Sequence, residues 1–146
     1  MVTVGKKIKF DYNLKLLFRC DAGTKSDLGT GHAIRIIRLI EKLLKQKLLL
    51  EKQIFVMYRN EKGFDLAKNI VNQSKYNYKK IEFKAKTSKY EEDLILKSNA
   101  NIIVFDVLQA NKKLLSNLNK ANKYLIDKNQ IREYPNRIWF KGSRYR

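Results

Sequence analysis

The stretch that decides the fold is LLFRCDAGTKSDLGTGHAIRIIRL, residues 16–39. It begins with a short apolar run, passes through a glycine-containing loop and continues into a segment whose apolar residues recur at helical spacing. The loop and its end hold the only histidine of the chain, His32, and three of its six glycines, Gly23, Gly29 and Gly31. A buried strand, a turn and an amphipathic helix in this order predict the first unit of a parallel α/β sheet.

The same alternation of strand and helix continues to residue 127. Apolar runs predict strands over 14–20, 53–59, 80–84, 101–107 and 123–127. Helical spacing predicts helices over 32–48, 64–74, 88–98 and 112–123. Ser88 and Glu91 have the spacing of a capping box at the start of the third helix. We therefore expect an α/β fold, a Rossmann-like parallel sheet with helices on both faces and right-handed crossovers.

Length and composition indicate one ordinary domain with enough apolar residues, 44% of 146, for a core. We divide the chain into a basic N-terminal lead (1–13), the α/β domain (14–127) and a basic, aromatic tail (128–146). The tail is interpreted as a disordered extension, a docking segment or a truncation product. No apolar run reaches the ~20 residues of a membrane span. The lone Cys20 excludes an internal disulfide and favours a reducing, cytoplasmic location.

The net charge of +18, from 32 basic and 14 acidic residues, favours non-specific attraction to polyanions. Specific nucleic-acid binding is not favoured, because the lysines are scattered and no zinc-knuckle, RNP-like or helix-turn-helix pattern is present. A non-enzymatic basic module that contacts nucleic acid or an acidic partner remains the alternative function. Its contacts would come from aromatic and basic residues of the tail: Tyr134, Trp139, Phe140, Arg144, Tyr145 and Arg146.

The glycine loop lies where an open α/β sheet binds ligands, between the carboxyl end of a strand and a helix N-terminus. Gly29, Thr30 and Gly31 precede a first helical turn whose N–H groups favour an anionic or strongly polar ligand. His32 lies on that turn, where a neutral imidazole can act as a general base. Arg35 follows one turn later on the same face.

Further polar residues end two of the predicted strands. Arg19 and Asp21 are two positions apart at the end of the first strand, so their side chains project to the same side. Asp106 ends the fourth strand at the same carboxyl edge. Simpler roles remain open: Arg19 and Asp21 pair with each other, Asp106 caps the next helix, His32 is a cap or surface residue, and Cys20 packs inward. The Gly-x-Gly element is only a fragment of a dinucleotide fingerprint, and no Walker motif is present.

The stretch also resembles the N-terminal motif of the PseG/SpsG family. That motif reads Phe-Arg-x-Asp, a polar loop, Gly-x-Gly-His and an arginine three residues later. Here its positions are Phe18, Arg19, Asp21, Gly29, Gly31, His32 and Arg35. A weaker similarity covers ANIIVFDVL (100–108), where Asp106 is similar to the family's aspartate at the end of the fourth strand. Beyond about residue 127 no similarity is evident.

The resemblance implies a nucleotide-sugar enzyme. The family contains the UDP-sugar hydrolase of pseudaminic acid biosynthesis and predicted glycosyltransferases of spore-coat polysaccharide synthesis. The hydrolase cleaves a UDP-linked 2,4-diacetamido-2,4,6-trideoxy-altrose with inversion, and it needs neither metal nor cofactor. By this resemblance His32 is the base that activates water, while Arg19 and Asp21 shape the sugar pocket or orient His32. The amides of Gly29 to Gly31 face the sugar or diphosphate, with Arg35 and Asp106 beside them.

The resemblance also implies the two-domain GT-B architecture. In such proteins the uridine diphosphate is bound largely by a C-terminal domain with its own glycine-rich loop. This chain would correspond to the N-terminal domain alone. We therefore expect a truncated product, a separate C-terminal polypeptide that completes the crevice, or a domain that has been reused for another role. Catalysis would require the second domain.

Overall fold

The computed structural model describes residues 2–4, 7–9, 13–25, 28–107, 111–127, 131–134 and 137–140. In chain order the strands are β1 (Val2–Val4), β2 (Lys7–Lys9), β3 (Leu16–Cys20), β4 (Ile54–Arg59), β5 (Lys79–Phe83), β6 (Ile102–Asp106), β7 (Tyr124–Asp127), β8 (Ile131–Tyr134) and β9 (Arg137–Phe140). The helices are α1 (Gly31–Lys45), α2 (Ala67–Asn72), α3 (Ser88–Lys97) and α4 (Lys112–Lys120). Strands β3 to β7 form one all-parallel sheet in the order β5-β4-β3-β6-β7. The predicted Rossmann-like α/β architecture is confirmed.

Two cores lie on opposite faces of the sheet, because successive side chains of a strand point to opposite sides. Phe18 packs with Ile36 of α1 in the core under α1 and α2. Its neighbour Leu17 packs with Ile95 of α3 in the core under α3 and α4. Every residue of β3 is buried, as the continuous apolar run predicts for a central strand covered on both faces.

Several predicted element ends differ from the structure. Helix α1 ends at Lys45 rather than residue 48, since Lys47 has a φ of 59° and leaves the helical conformation. Helix α4 ends at Lys120 rather than 123, and Asn122 has a φ of 63°. The second helix is shorter than predicted at both ends, and the third strand lies one residue earlier. The helical spacing of apolar residues thus extends a few residues beyond the point where the backbone leaves the helical conformation.

The predicted capping box at Ser88 is wrong by one residue. The N-cap of α3 is Thr87, whose Oγ1 accepts a hydrogen bond from the Tyr90 backbone N–H at 3.0 Å. Ser88 is the first residue of the helix rather than its cap. Glu91 therefore has no capping role, and its side chain contacts Arg19 of β3, as described below.

The strand order creates a topological switch point beside β3. The chain leaves β3 for β4 on one side, whereas β6 pairs with β3 on the other. In this register Cys20 is paired with Asp106, so the ends of β3 and β6 are level. The crevice outside the carboxyl ends of two such strands is where open α/β sheets bind ligands.

The terminal segments contain two antiparallel hairpins, β1–β2 and β8–β9. The contacts predicted for the aromatic and basic side chains of the tail fall outside the described residues. Across the part of the chain that the structure describes, no helix is both long enough and apolar enough to cross a membrane.

Candidate active site at the switch point

A buried histidine–aspartate pair occupies the switch point. Nδ1 of His32 lies 2.6 Å from Oδ1 of Asp106, and the two residues are only 7% and 2% exposed. Asp106 is the last residue of β6, on the same side of the strand as Val104, which packs in the core under α1. His32 lies on the first turn of α1. The end of β6 and the start of α1 thus bring the two side chains together.

Arg35 completes this group, which we name the switch-point cluster (His32, Arg35, Asp106). Its Nε donates to Oδ2 of Asp106 at 3.1 Å and its Nη2 donates to Oδ1 at 3.0 Å. This fork raises the pKa of Arg35 above its usual value, chiefly through the hydrogen bonding. The Arg35 side chain is 54% exposed, so it reaches from solvent into the pair.

The hydrogen bonding assigns the neutral tautomer of His32. An aspartate held by an arginine fork is a carboxylate, which can only accept hydrogen bonds. Nδ1 of His32 therefore carries the proton that it donates to Asp106. In the neutral ring the lone pair then lies on Nε2. This tautomer presents Nε2 as a proton acceptor.

A second polar group surrounds Arg19, on the other face of the sheet. Arg19 Nη1 donates to Oδ1 of Asp21 at 2.7 Å and to the carbonyl of Cys20 at 3.0 Å, and Nε donates to Oε2 of Glu91 at 3.0 Å. Its guanidinium carbon also lies 4.8 Å from the centre of the Phe83 ring. We name Arg19, Asp21 and Glu91 the Arg19 cluster. The interpretation that Arg19 and Asp21 pair with each other is confirmed.

Burial and charge act in opposite directions on Arg19. Removal from water lowers the pKa of its guanidinium, but the carboxylates of Asp21 and Glu91 outweigh this effect and hold the pKa above its usual value. All of these contacts are internal, and Arg19 is 3% exposed. Its side chain therefore connects the end of β3 to α3.

Asp21 joins the ends of two strands, because its Oδ1 also accepts from the backbone N–H of Arg59, at the end of β4, at 3.0 Å. Beyond it, the loops after β3 and β4 are packed together. A Cβ on Gly23 would overlap the carbonyl oxygen of Gly63, and the Lys25 N–H donates to that carbonyl at 3.1 Å. The glycine loop is therefore packed against the loop after β4 at Gly23 and Lys25.

The remaining predicted site residues, Gly29, Thr30 and Gly31, lie between the end of β3 and the first turn of α1. Gly29 has a φ of 57°, a left-handed conformation that favours glycine. Its carbonyl accepts a hydrogen bond from the Gly23 backbone N–H at 3.0 Å. Thr30 is the N-cap of α1, and within the described residues its side chain accepts no capping hydrogen bond from the helix backbone. Gly31, the first helical residue, is exposed. The start of α1 therefore faces the crevice.

The structure places all of the predicted site residues at one edge of the sheet, but not in one group. Asp106 points to the face covered by α1, whereas Arg19 and Asp21 point to the face covered by α3. The interpretation that Asp106 caps the next helix is wrong, since Asn111 caps α4. The sequence did not indicate Glu91 or Arg59 as partners of the residues at this edge. The spacing of Ser88 and Glu91 indicated a capping box rather than the contact of Glu91 with Arg19. Arg59 contributes only its backbone N–H to Asp21, which no side-chain pattern can indicate.

Cys20 is fully buried, as its position between polar residues at the strand end predicts. Burial raises the pKa of its thiol to about 12, with smaller contributions from nearby charges. A thiol in this state is not a nucleophile at neutral pH. In the described part of the chain no group of three or more His, Cys, Asp or Glu side chains could hold a metal ion.

A surface cavity of about 260 Å³ lies between α1 and α2. It is lined by Ile34, Ile37, Arg38 and Glu41 of α1 and by Ile70, Gln73 and Ser74 at the second helix. None of these residues belongs to either polar cluster. The cavity is therefore separate from the switch point.

Comparison of the chain with models of known protein families, with curated proteins and with solved structures returned no match. Two kinds of observation therefore bear on its function. The first is the geometry of the switch-point cluster. The second is the motif in residues 16–39, which runs from β3 through the glycine loop into α1.

Proposed function

We propose that this chain is the sugar-facing half of a UDP-sugar hydrolase or glycosyltransferase-like protein of the PseG/SpsG type, acting in the synthesis of surface polysaccharides that contain nonulosonic acids such as pseudaminic acid. The observation that carries the proposal is the 2.6 Å contact between His32 Nδ1 and Asp106 Oδ1 at the switch point. A separate polypeptide or further domain would bind the uridine diphosphate. The lone buried Cys20 fits a cytoplasmic place of action.

In the proposed reaction His32 acts as the general base. Nε2 takes a proton from a water molecule as the water oxygen attacks the anomeric carbon of the sugar. The bond between that carbon and the diphosphate oxygen breaks, and UDP leaves with the bonding electrons. A single displacement inverts the configuration at the anomeric carbon. Asp106 stabilises the imidazolium that forms on His32 and keeps its ring oriented.

The leaving group carries negative charge, and the N-terminus of α1 would bind such a group favourably. The first-turn N–H groups of a helix and its dipole favour a phosphate oxygen. Thr30 does not cap this end with its side chain in the described structure, and Gly31 adds no side chain over it. These features support a diphosphate beside the glycine loop and a sugar next to His32.

The direct test is binding of a UDP-sugar to the purified chain, observed by saturation-transfer NMR on the ligand. UDP-2,4-diacetamido-2,4,6-trideoxy-altrose and UDP-N-acetylglucosamine are the probes, with free UDP for comparison. We expect saturation of the sugar protons that is lost in His32→Ala. Arg38→Ala is the matched control, because Arg38 is an exposed arginine on the same helix outside the cluster. UDP release, with a nucleotide-binding second half supplied, then reports hydrolysis.

A folded chain that transfers no saturation to either sugar at millimolar concentration contradicts the proposal. Selective binding of an oligonucleotide that persists at 0.5 M salt, or capture of an acidic peptide, would then favour the alternative of a basic binding module. Binding that falls steeply with salt for every oligonucleotide reports only the net charge of +18.

A further inference from the structure

The Asp106 carboxylate receives donors from two residues of one helix turn. Arg35 donates to both carboxylate oxygens, and His32 Nδ1 donates to Oδ1 alone. A carboxylate that accepts one hydrogen bond can rotate about its Cβ–Cγ bond. A two-point contact from a planar guanidinium holds the plane of the carboxylate as well as its position.

The distances around Nδ1 of His32 select one tautomer. Arg35 Nη2 lies 3.1 Å from Nδ1, and Asp106 Oδ1 lies 2.6 Å from it. If Nδ1 carried a lone pair, it could accept from Arg35 but would face the Asp106 oxygen at 2.6 Å, with two acceptors in contact. With the proton on Nδ1, both Nδ1 and Arg35 Nη2 donate to the same carboxylate oxygen. Only the second arrangement satisfies the shorter contact.

We propose that Arg35 is a positioning residue: by its fork on Asp106 it holds the carboxylate in the one orientation that keeps the proton of His32 on Nδ1 and the lone pair on Nε2. Arg35 thus acts through Asp106, not through contact with a substrate. The catalytic meaning of this role rests on the proposed function, in which Nε2 is the base. The effect on the tautomer of His32 does not depend on any substrate.

Loss of the fork has a definite consequence. In Arg35→Ala the carboxylate loses the two-point contact that fixes its plane. In Arg35→Lys a single ammonium replaces the planar fork, so the plane of the carboxylate is again released. Both variants should let the second tautomer of His32 become populated. Since the Arg35 side chain is half-exposed, neither variant creates a buried cavity.

The chain suits a direct measurement because His32 is its only histidine. A long-range ¹H–¹⁵N spectrum of the uniformly ¹⁵N-labelled chain, recorded at a pH where the ring is neutral, contains one imidazole and identifies which nitrogen carries the proton. We expect a single Nδ1–H tautomer in the wild-type chain. In Arg35→Ala and Arg35→Lys the two nitrogen shifts should move toward each other, as rapid exchange between tautomers requires. Arg38→Ala and Arg38→Lys are matched controls that should leave both shifts unchanged.

Two results would overturn the inference. One is a wild-type ring protonated on Nε2. The other is an unchanged Nδ1–H spectrum in both Arg35 variants, which would make the fork a surface ion pair without effect on the ring. The amide region of the same samples shows whether each variant is folded. Because no sugar nucleotide is present, these outcomes are distinct from failure of UDP-sugar binding.

Discussion

Nδ1 of His32 and Oδ1 of Asp106 are 2.6 Å apart, although the two residues are separated by 74 positions in the chain. Their contact depends on the pairing of β3 with β6, which sets Cys20 level with Asp106. It also depends on α1 beginning directly after the glycine loop. The end of β6 and the first turn of α1 thus bring the histidine and the aspartate together at the switch point.

Asp106→Asn should slow the release of UDP from a UDP-sugar on the order of 10²–10⁴-fold. An amide has one oxygen, so its NH₂ group meets a donor in either orientation: Nε of Arg35 at the Oδ2 position, or Nδ1 of His32 and Nη2 of Arg35 at the Oδ1 position. In both orientations the fork is broken and the negative charge that stabilises the imidazolium is lost. Initial rates of UDP release, with a nucleotide-binding second half supplied, measure the effect.

The matched control for this change is Asp93→Asn, which removes an exposed carboxylate of α3 that pairs with Lys89. Its rate should equal that of the wild-type chain. An Asp106→Asn variant as fast as this control would show that Asp106 does not orient the base.

Arg19→Met should lower the free energy of unfolding by about 3–5 kcal/mol, because it leaves two carboxylates without the buried charge that they share. Glu91→Gln should cost less, about 1 kcal/mol, since an amide oxygen can still accept from Arg19 Nε. Urea unfolding followed by circular dichroism measures both. Lys97→Met, an exposed change on α3, is the control and should stay close to wild type. A cost for Arg19→Met no larger than that of the control would contradict the structural role of the Arg19 cluster.

Gly23→Ala and Gly31→Ala should act in opposite directions. A Cβ at position 23 overlaps the Gly63 carbonyl, so one of the two packed loops must move, at a cost of about 1–3 kcal/mol. A Cβ at position 31 meets nothing closer than Arg35 Nη1 at 3.7 Å, an ordinary contact. At this site alanine should stabilise the chain by about 0.4–1 kcal/mol. Thermal unfolding midpoints that fail to separate the two variants would refute the close packing of the loops.

Glu92 should make the chain lose stability in acid. Hydrogen bonds from Lys89 and then Asn117 hold the pKa of Glu92 below its usual value. A carboxyl group whose pKa is lower in the folded state stabilises the fold above its unfolded pKa, and this contribution disappears as the pH falls through the folded pKa. The stability difference between the wild-type chain and Glu92→Gln should therefore be largest near neutral pH and shrink below about pH 4.5.

Urea midpoints between pH 7 and pH 3 measure this difference. Asp65→Asn is the control, since Asp65 is an exposed carboxylate on the chain surface. A difference for Glu92→Gln that stays constant over the whole range would contradict the lowered pKa of Glu92.

The architecture could be predicted because each element leaves a local pattern. The apolar run of β3 and the helical spacing of α1 arise from burial against a sheet, and the alternation of the two predicts a parallel sheet. The predicted helix ends were less accurate, because the spacing of apolar residues does not indicate the positive φ of Lys47 and Asn122. The rule that residues two apart share a side correctly placed Arg19 and Asp21 together.

The sequence by itself therefore determined the order of strands and helices between residues 14 and 127, and it placed the glycine loop before α1 and His32 on the first turn of that helix, because these depend on near neighbours in the chain. The tertiary structure decided that Asp106 and Arg35 meet His32 on one face while Arg19 meets Glu91 on the other. Those pairings depend on which strand lies beside β3 and on which face each helix covers. The strand order and the face covered by each helix are set when both faces of the sheet are buried together, and the local spacing of residues does not indicate either of them.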